Sequence, residues 1–91
     1  MSITIIVPGS LKDLLGGSDQ VTCEGKTIGE CIADLDYKFS GFKSRVLDEK
    51  GEINSSFMIF LDGQNLRILD GLATSVKDGD EVNIIPFAAG G

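Results

Sequence analysis

The sequence predicts an α+β domain in which one main helix packs on a mixed sheet of four or five strands. Two observations lead to this fold class. Dense β-branched and aromatic runs occur near both ends and in the second half of the chain, at residues 3–7, 57–61 and 81–86. Only residues 28–39 place apolar side chains at helical spacing over several turns. One helix among several strands indicates a sheet with one covered face.

The region before the helix supplies the first two predicted strands. Residues 3–7 are almost continuously apolar, which is typical of a central strand covered on much of both faces. Residues 11–15 contain three leucines and precede two glycines, so we interpret them as a turn with one loose helical twist. Residues 20–24 alternate apolar and polar side chains, which predicts a half-buried strand.

The main helix is predicted to begin after Thr27, because Thr27 and Glu30 match the S/T-x-x-E capping box. Thr27 caps the helix in this prediction, and Glu30 bonds back to the backbone while its charge suits the helix N-terminus. Ser40 and Gly41 mark the end, since glycine commonly follows a last helical turn. The predicted apolar face of the helix comprises Ile28, Cys31, Ile32, Leu35 and Phe39.

The chain after the helix begins with a long connection. Residues 42–56 are charged and weakly periodic, which predicts an irregular segment with one helical turn around residues 44–47. Residues 57–61 form the next predicted strand, and the dipeptide Asp62-Gly63 predicts the turn that ends it.

Residues 66–69 are predicted as a short strand and residues 81–86 as the last one. The resulting order, β-β-α-β-β-β, predicts a β-grasp, or ubiquitin-like, arrangement. The first and last strands lie parallel in its centre, which suits their isoleucine content. The helix covers one face of the sheet, and the other face stays open for partners.

The strand periodicity predicts which side chains face the helix and which face away. Side chains of one parity are expected to pack under the helix: Ile5, Val7, Val21, Ile59, Leu61, Val82 and Ile84. Phe60, Ile85 and Phe87 then point to the opposite face, near the C-terminal end of the chain. We expect these three large apolar groups to form a partner-binding surface.

Length and composition exclude several classes of function. A length of ninety-one residues predicts one domain, residues 1–91. We expect its C-terminal tail, at about residues 87–91, to be flexible. Eight basic and fourteen acidic residues leave a formal charge of −6, which disfavours nucleic acid and anionic membrane surfaces as partners. The sequence has no histidine and two cysteines, so we expect no metal site, no cofactor and no Ser-His-Asp or Cys-His catalysis. The first residues lack a secretory pattern, and we expect a cytoplasmic protein.

Few side chains are candidates for chemistry. We expect Cys23 and Cys31 to be buried structural residues, and the scattered carboxylates to be solvated surface groups. The terminal dipeptide Gly90-Gly91 is different, because two residues without a Cβ let a chain enter a narrow slot and present its carboxylate. A frayed terminus is the structural alternative for this dipeptide.

The C-terminal stretch resembles a known family. Its pattern is a D-G-D-x-V turn at residues 78–82, an apolar strand, Pro86 and a terminal Gly90-Gly91. In this it is similar to the MoaD/ThiS sulfur carriers, and the likeness extends to the first strand. Residues 71–74, Gly-Leu-Ala-Thr, resemble most the branch that supplies sulfur for cysteine synthesis.

The resemblance implies a mechanism. An E1-like enzyme uses ATP to adenylate the carboxylate of Gly91, and a sulfur donor then converts it to a thiocarboxylate. A sulfur-accepting synthase takes the sulfur for a product of the cysteine or molybdopterin type. Gly91 carries the chemistry, while Gly90, Ala89 and Ala88 give access to the enzyme. The domain itself acts as carrier and co-substrate rather than as an enzyme.

Two other functions remain open at this stage. In a ubiquitin-like protein modifier, Gly91 would end in an isopeptide bond to lysines of target proteins. In an interaction module, the terminal glycines would have no chemical role.

Overall fold

The computed structural model describes residues 2–87 of the chain. The strands of this part are β1 (Ile3–Ile6), β2 (Gln20–Cys23), β3 (Phe57–Leu61), β4 (Gln64–Asn65) and β5 (Glu81–Pro86). The helices are α1 (Gly9–Lys12), α2 (Ile28–Lys38) and α3 (Phe42–Val46), and single 3-10 turns occupy Asp13–Leu15, Leu66–Ile68 and Gly71–Ala73. Within residues 2–87 no helix has the length and apolarity required to cross a bilayer.

The strands form one mixed sheet in the order β2-β1-β5-β3-β4. The central strands β1 and β5 are parallel, with Ile5 opposite Val82, and every other neighbouring pair is antiparallel. The two ends of the described chain therefore meet in the middle of the sheet, and α2 crosses one face. This arrangement confirms the predicted β-grasp fold.

The core lies between α2 and the sheet. The helix contributes Ile28, Cys31, Ile32 and Leu35, none more than 2% exposed. The strand side chains predicted to face the helix are buried at six of seven positions: Ile5, Val7, Ile59, Leu61, Val82 and Ile84. Val21 and Phe39 are partly buried at the margin of this core. The predicted helix face and strand parity are thus confirmed, and Val21 and Phe39 contribute less burial than expected.

Two side chains accept hydrogen bonds from backbone amides at the start of α2, one amide in its first turn and one just before its N-cap. The Thr27 hydroxyl accepts a hydrogen bond from the Glu30 amide at 3.1 Å, as predicted for the N-cap. The Glu30 carboxylate accepts from the amide of Lys26 at 2.9 Å, one residue before the donor of a standard capping box. The capping pair therefore fixes both the first turn of α2 and the chain that enters it.

The connection at residues 42–56 contains more structure than its sequence predicts. Helix α3 begins at Phe42, two residues before the predicted turn, because Gly41 adopts a positive φ of 96° that redirects the chain. Phe42 and Val46 are fully buried in the core. The charged residues between them dilute the apolar pattern, which is why the sequence did not identify this short helix as a core element.

The predicted strand at residues 66–69 is wrong. The turn Asp62-Gly63 has positive φ at both residues, as a tight hairpin requires, but β4 ends after Asn65. The Asn65 side chain then accepts a hydrogen bond from the amide of Arg67 at 2.9 Å. This local bond favours a 3-10 turn over further strand pairing, and Leu66 enters the core.

Candidate functional site

Strand β5 determines where the chain leaves the sheet. Its first residues pair with β1 on one side, and it pairs with β3 on the other as far as its end, with Ile85 opposite Met58 and Pro86 opposite Phe57. After Pro86, the amide of Phe87 donates a hydrogen bond to the Ser56 carbonyl at 2.8 Å. The position of Phe87 is therefore set by the sheet. The predicted chemical residues Ala88, Ala89, Gly90 and Gly91 lie outside the described residues.

The outer face of the sheet carries the predicted apolar groups beside this exit. Ile85 is 41% exposed and Phe87 is 49% exposed, while Phe60 is half-buried. Two further apolar side chains, Ile6 and Met58, share the outward parity of their strands. We call these five residues the outer-face patch.

Sequence reasoning missed Ile6 and Met58, although strand periodicity could have identified both. Met58 is two residues from Phe60 and lies opposite Ile85 in the sheet register. Ile6 and Phe60 both lie opposite Asn83, from the two sides of β5. The patch therefore extends across the three adjacent strands β1, β5 and β3, whereas the predicted residues lie on or next to two of them.

A groove of about 370 Å³ opens at the side of Phe87. Its lining is largely apolar, and it comprises Ser55, Phe57, Met58, Asn65, Arg67 and Phe87. Arg67 is the only charged residue of this set, in a chain with fourteen acidic residues. The groove thus combines apolar side chains with one positively charged side chain, next to Phe87.

The D-G-D turn lies at the opposite end of β5 and has a structural role. Asp78 accepts a hydrogen bond from the amide of Ser2 at 2.7 Å, and the Gly79 amide donates to the Ser2 carbonyl at 2.9 Å. Gly79 has a φ of 89°, which favours glycine at this position. These contacts attach the start of β1 to the turn before β5.

Asp80 is an exception to the expectation that carboxylates are solvated. It is 5% exposed and accepts hydrogen bonds from the Lys77 amide at 2.8 Å and the Lys77 ammonium at 3.1 Å. Burial opposes its charged form, but the hydrogen bonds outweigh burial and hold the pKa of Asp80 below its ordinary value. Asp80 therefore stabilises the turn as a carboxylate.

The two cysteines are buried and free, as predicted. A hydrogen bond with Cys31, and then burial, raises the pKa of the Cys23 thiol above its ordinary value. The same hydrogen bond lowers the pKa of Cys31. The two thiols therefore titrate as a pair, and the second proton is held more tightly than the first. Among residues 2–87 no group of three or more metal-ligating side chains comes together.

The geometry defines a class of protein: a β-grasp domain whose last strand ends beside an exposed apolar patch. The sequence profile of the ThiS family matches residues 5–91. The sulfur carrier protein CysO of Mycobacterium tuberculosis is 36% identical over 93 residues, an alignment that covers all of both chains. The chain belongs to the ThiS family.

Two other relatives indicate the range of this likeness. The crystal structure of the Amycolatopsis orientalis BexX/CysO complex matches with a TM-score of 0.90 and 31% identity, covering 98% of this chain and 99% of that one. Small archaeal modifier protein 3 of Haloferax volcanii is 32% identical over 65 residues, or 71% of this chain and 70% of its own. Both sulfur carriers and modifiers thus occur among the relatives.

Proposed function

We propose that the chain is a sulfur carrier that holds sulfur as a thiocarboxylate on Gly91. An E1-like enzyme joins the Gly91 carboxylate to the α-phosphate of ATP and releases pyrophosphate. A sulfur nucleophile from a donor then attacks the carbonyl carbon, and AMP leaves. This route splits one difficult displacement at a carboxylate into two easier steps. The family match through residue 91 is the observation that carries the proposal.

The position of Phe87, where the chain leaves the sheet, supports activation of Gly91 by an E1-like enzyme. The Phe87 amide is bonded to the carbonyl of Ser56, one residue before β3, so the chain beyond it begins at a defined point beside the sheet. Four fully extended residues reach at most about 14 Å. The adenylating site of the activating enzyme must then lie within that distance of Phe87. Side chains no larger than a methyl group at residues 88–91 suit passage through a narrow channel.

The outer-face patch is the proposed contact with the activating enzyme. Phe60, Ile85 and Phe87 supply the apolar contact at the point where the tail departs. Arg67 in the adjacent groove suits a carboxylate of the partner. The formal charge of −6 favours basic surfaces elsewhere on the partner enzymes and speeds encounter with them.

Sulfur delivery to a cysteine-type synthase is the proposed use of the thiocarboxylate. Two features support it: the Gly-Leu-Ala-Thr sequence at residues 71–74, and full-length relatives named CysO. Delivery of the sulfur to a molybdopterin-type synthase is the alternative. Incubation of the thiocarboxylate form with each type of synthase separates the two, because only the true acceptor consumes the sulfur and returns the carboxylate form.

The activation step is tested by intact mass. Incubation with the cognate E1-like enzyme, ATP and sulfide should raise the mass by the difference between sulfur and oxygen, and the change should map to the C-terminal peptide. Deletion of Gly91, or extension beyond it, should abolish the change and leave the melting temperature unaltered. Thiolation of an untrimmed extended chain would show that the terminal carboxylate is not the reacting group.

Gly90→Val tests access to the enzyme. The substitution keeps the carboxylate but adds a branched side chain next to it, so the activation rate should fall at least about tenfold. Gly9→Val is the matched control: Gly9 has ordinary φ, and no atom lies within 4 Å of the position of its Cβ. The control should be activated at the wild-type rate. Equal losses in both variants would mean that stability, not access, limits the reaction.

Protein modification is the second candidate function. The likeness to the Haloferax volcanii modifier supports it. Here a lysine amine of a target protein attacks the carbonyl carbon of the adenylated Gly91, AMP leaves with the breaking of its bond to that carbon, and an isopeptide bond forms. An epitope-tagged chain should then yield high-mass conjugates in cell lysate, and deletion of Gly91 should remove them. Thiocarboxylate without conjugates would support the carrier function alone.

A further inference from the structure

Arg67 lines two grooves on the surface of the domain. The first is the groove beside Phe87, and the second, of about 460 Å³, takes its apolar lining from Ile53, Leu66 and Leu72. Among the described residues the two grooves share no other lining residue. Arg67 is therefore the point at which two concave surfaces with apolar side chains meet.

The guanidinium of Arg67 is available to a partner. The residue is exposed, and within residues 2–87 its side chain donates no hydrogen bond. In the same part of the chain the ion pairs join Lys38 to Asp34 and Lys77 to Asp80, so Glu52 in the second groove does not neutralise Arg67. A guanidinium binds carboxylates and phosphates with two parallel hydrogen bonds. The apolar lining of both grooves favours a carboxylate carried by a protein segment.

Ile68 adds apolar area next to this cation. It is 77% exposed, more than Ile85 or Phe87 of the outer-face patch. One exposed apolar side chain is ordinary on a protein surface, but Ile68 directly follows the arginine at which the two grooves meet. Arg67 and Ile68 thus offer a charged and an apolar contact side by side.

Hydrogen bonds fix the backbone that presents these two residues. The Asn65 side chain accepts from the amide of Arg67 at 2.9 Å. Further along the chain, the hydroxyl of the buried Thr74 accepts from the amide of Asp70 at 3.1 Å. A surface whose backbone is already ordered loses less conformational entropy when it binds. The turn at Leu66–Ile68 is therefore suited to recognition.

We propose that this surface binds a segment of the E1-like enzyme in which a carboxylate lies between apolar side chains. The carboxylate pairs with Arg67, and the apolar side chains enter the two grooves that meet there. The inference rests on the proposed function, because the enzyme that receives Gly91 must approach Phe87, and Phe87 lines the first groove. It extends the contact beyond the outer-face patch, since the second groove contains no residue of β1, β3 or β5.

Charge gives the contact a role in orienting the enzyme. The chain has a formal charge of −6, so an acidic segment of the partner is repelled from most of its surface. Arg67 is the one basic residue among the described residues that line the two grooves. A carboxylate that finds its match at Arg67 alone favours one docked orientation over others.

Calorimetry with the cognate E1-like enzyme, in the absence of ATP, tests the charged contact. Arg67→Glu should weaken the affinity at least about tenfold, because an opposite charge is replaced by a like charge. Arg45→Glu is the matched control, since it makes the same exchange at an exposed position of α3 that lines neither groove. The control should bind within about twofold of the wild type at physiological salt. Equal weakening would mean that net charge governs the association and would overturn the proposal.

Ile68→Ala tests the apolar contact. The affinity should fall by about three- to tenfold, while the melting temperature stays unchanged because Ile68 is largely exposed. Tyr37→Ala removes another exposed large side chain, on α2, and should leave the affinity unaltered. An affinity of Ile68→Ala equal to that of the wild type would confine the contact to the first groove and overturn the extended surface.

The same variants decide between this partner and the sulfur-accepting synthase. Sulfur transfer to the synthase is measured from the thiocarboxylate form of Arg67→Glu. A loss confined to that transfer, with binding to the E1-like enzyme unchanged, would overturn the assignment of the surface to the E1-like enzyme. Wild-type binding that depends on Arg67 but yields no thiocarboxylate would support the contact and refute the proposed function. Absence of wild-type binding to the E1-like enzyme would overturn the contact itself.

Discussion

Ile84 and Ile85 are neighbours on β5, yet Ile84 is 3% exposed under α2 and Ile85 is 41% exposed on the opposite face. The same residue type is therefore buried at one position and exposed at the next. The inward face supplies burial that stabilises the fold, while the outward face leaves apolar area exposed, and we propose that a partner covers it. Substitutions on the two faces should consequently separate stability from binding.

Leu35→Ala should have the largest effect on stability. Leu35 is fully buried on the inner side of α2, so the substitution should lower the free energy of unfolding by about 2–5 kcal/mol. Tyr37→Ala on the same helix is the matched control, because Tyr37 is 91% exposed and should change stability by less than about 0.5 kcal/mol. Urea denaturation measures both. A loss of a few tenths for Leu35→Ala would contradict its placement in the core.

Asp80→Asn should have the next largest effect, about 1–3 kcal/mol, since hydrogen bonds from Lys77 to a buried charge are weakened. Because the pKa of Asp80 is lowered in the folded state, its contribution is complete above the ordinary value of 3.8 and is lost as the pH falls through the lowered value. Unfolding measured between pH 7 and pH 2 should therefore depend less on pH in the variant. Parallel pH curves would show that Asp80 is not charged in the fold.

Thr27→Ala should cost about 1 kcal/mol, because the amide of Glu30 loses its hydroxyl acceptor at the start of α2. Thr27→Ser keeps a hydroxyl at the same position and should retain most of the stability. Thermal melting of the two variants tests the cap directly. Equal losses would indicate that the Thr27 methyl group, rather than the capping bond, matters at this site.

The comparison of the two faces also explains what the sequence could predict. Strand parity and helix spacing identify which side chains face each other, so the inward set around Leu35 and Ile84 was predictable. Ile6 and Met58 obey the same parity and could have been added to the outer-face patch. Patterns of this kind depend on local periodicity, which is visible in one sequence.

Tertiary contacts account for the elements that sequence reasoning missed. Phe42 and Val46 are the buried first and last residues of a helix of five residues, too short for its periodicity to stand out from the polar residues between them. Leu66 follows a strand, but the bond between Asn65 and the Arg67 amide turns it into the core. The burial of Asp80 depends on a turn whose D-G-D pattern does not reveal which carboxylate faces inward.

Phe87→Asp should have the smallest effect on stability of these substitutions and a large effect on binding. Phe87 is 49% exposed, and its sheet contact is a backbone hydrogen bond that the substitution retains. The melting temperature should therefore change by only a few degrees. Affinity for the cognate activating enzyme should fall at least about tenfold, because a large apolar group of the proposed docking surface is replaced by a charge.

Tyr37→Asp is the matched control for the added charge. It makes the same aromatic-to-carboxylate change at a fully solvated position on the helix side of the domain. Binding measured by calorimetry should be unchanged in the control and weakened in Phe87→Asp. Equal weakening would mean that net charge governs the association, and a collapse of the melting temperature in Phe87→Asp would place Phe87 in the core. Weakening confined to Phe87→Asp would show that the outward face of the sheet contributes binding without contributing stability.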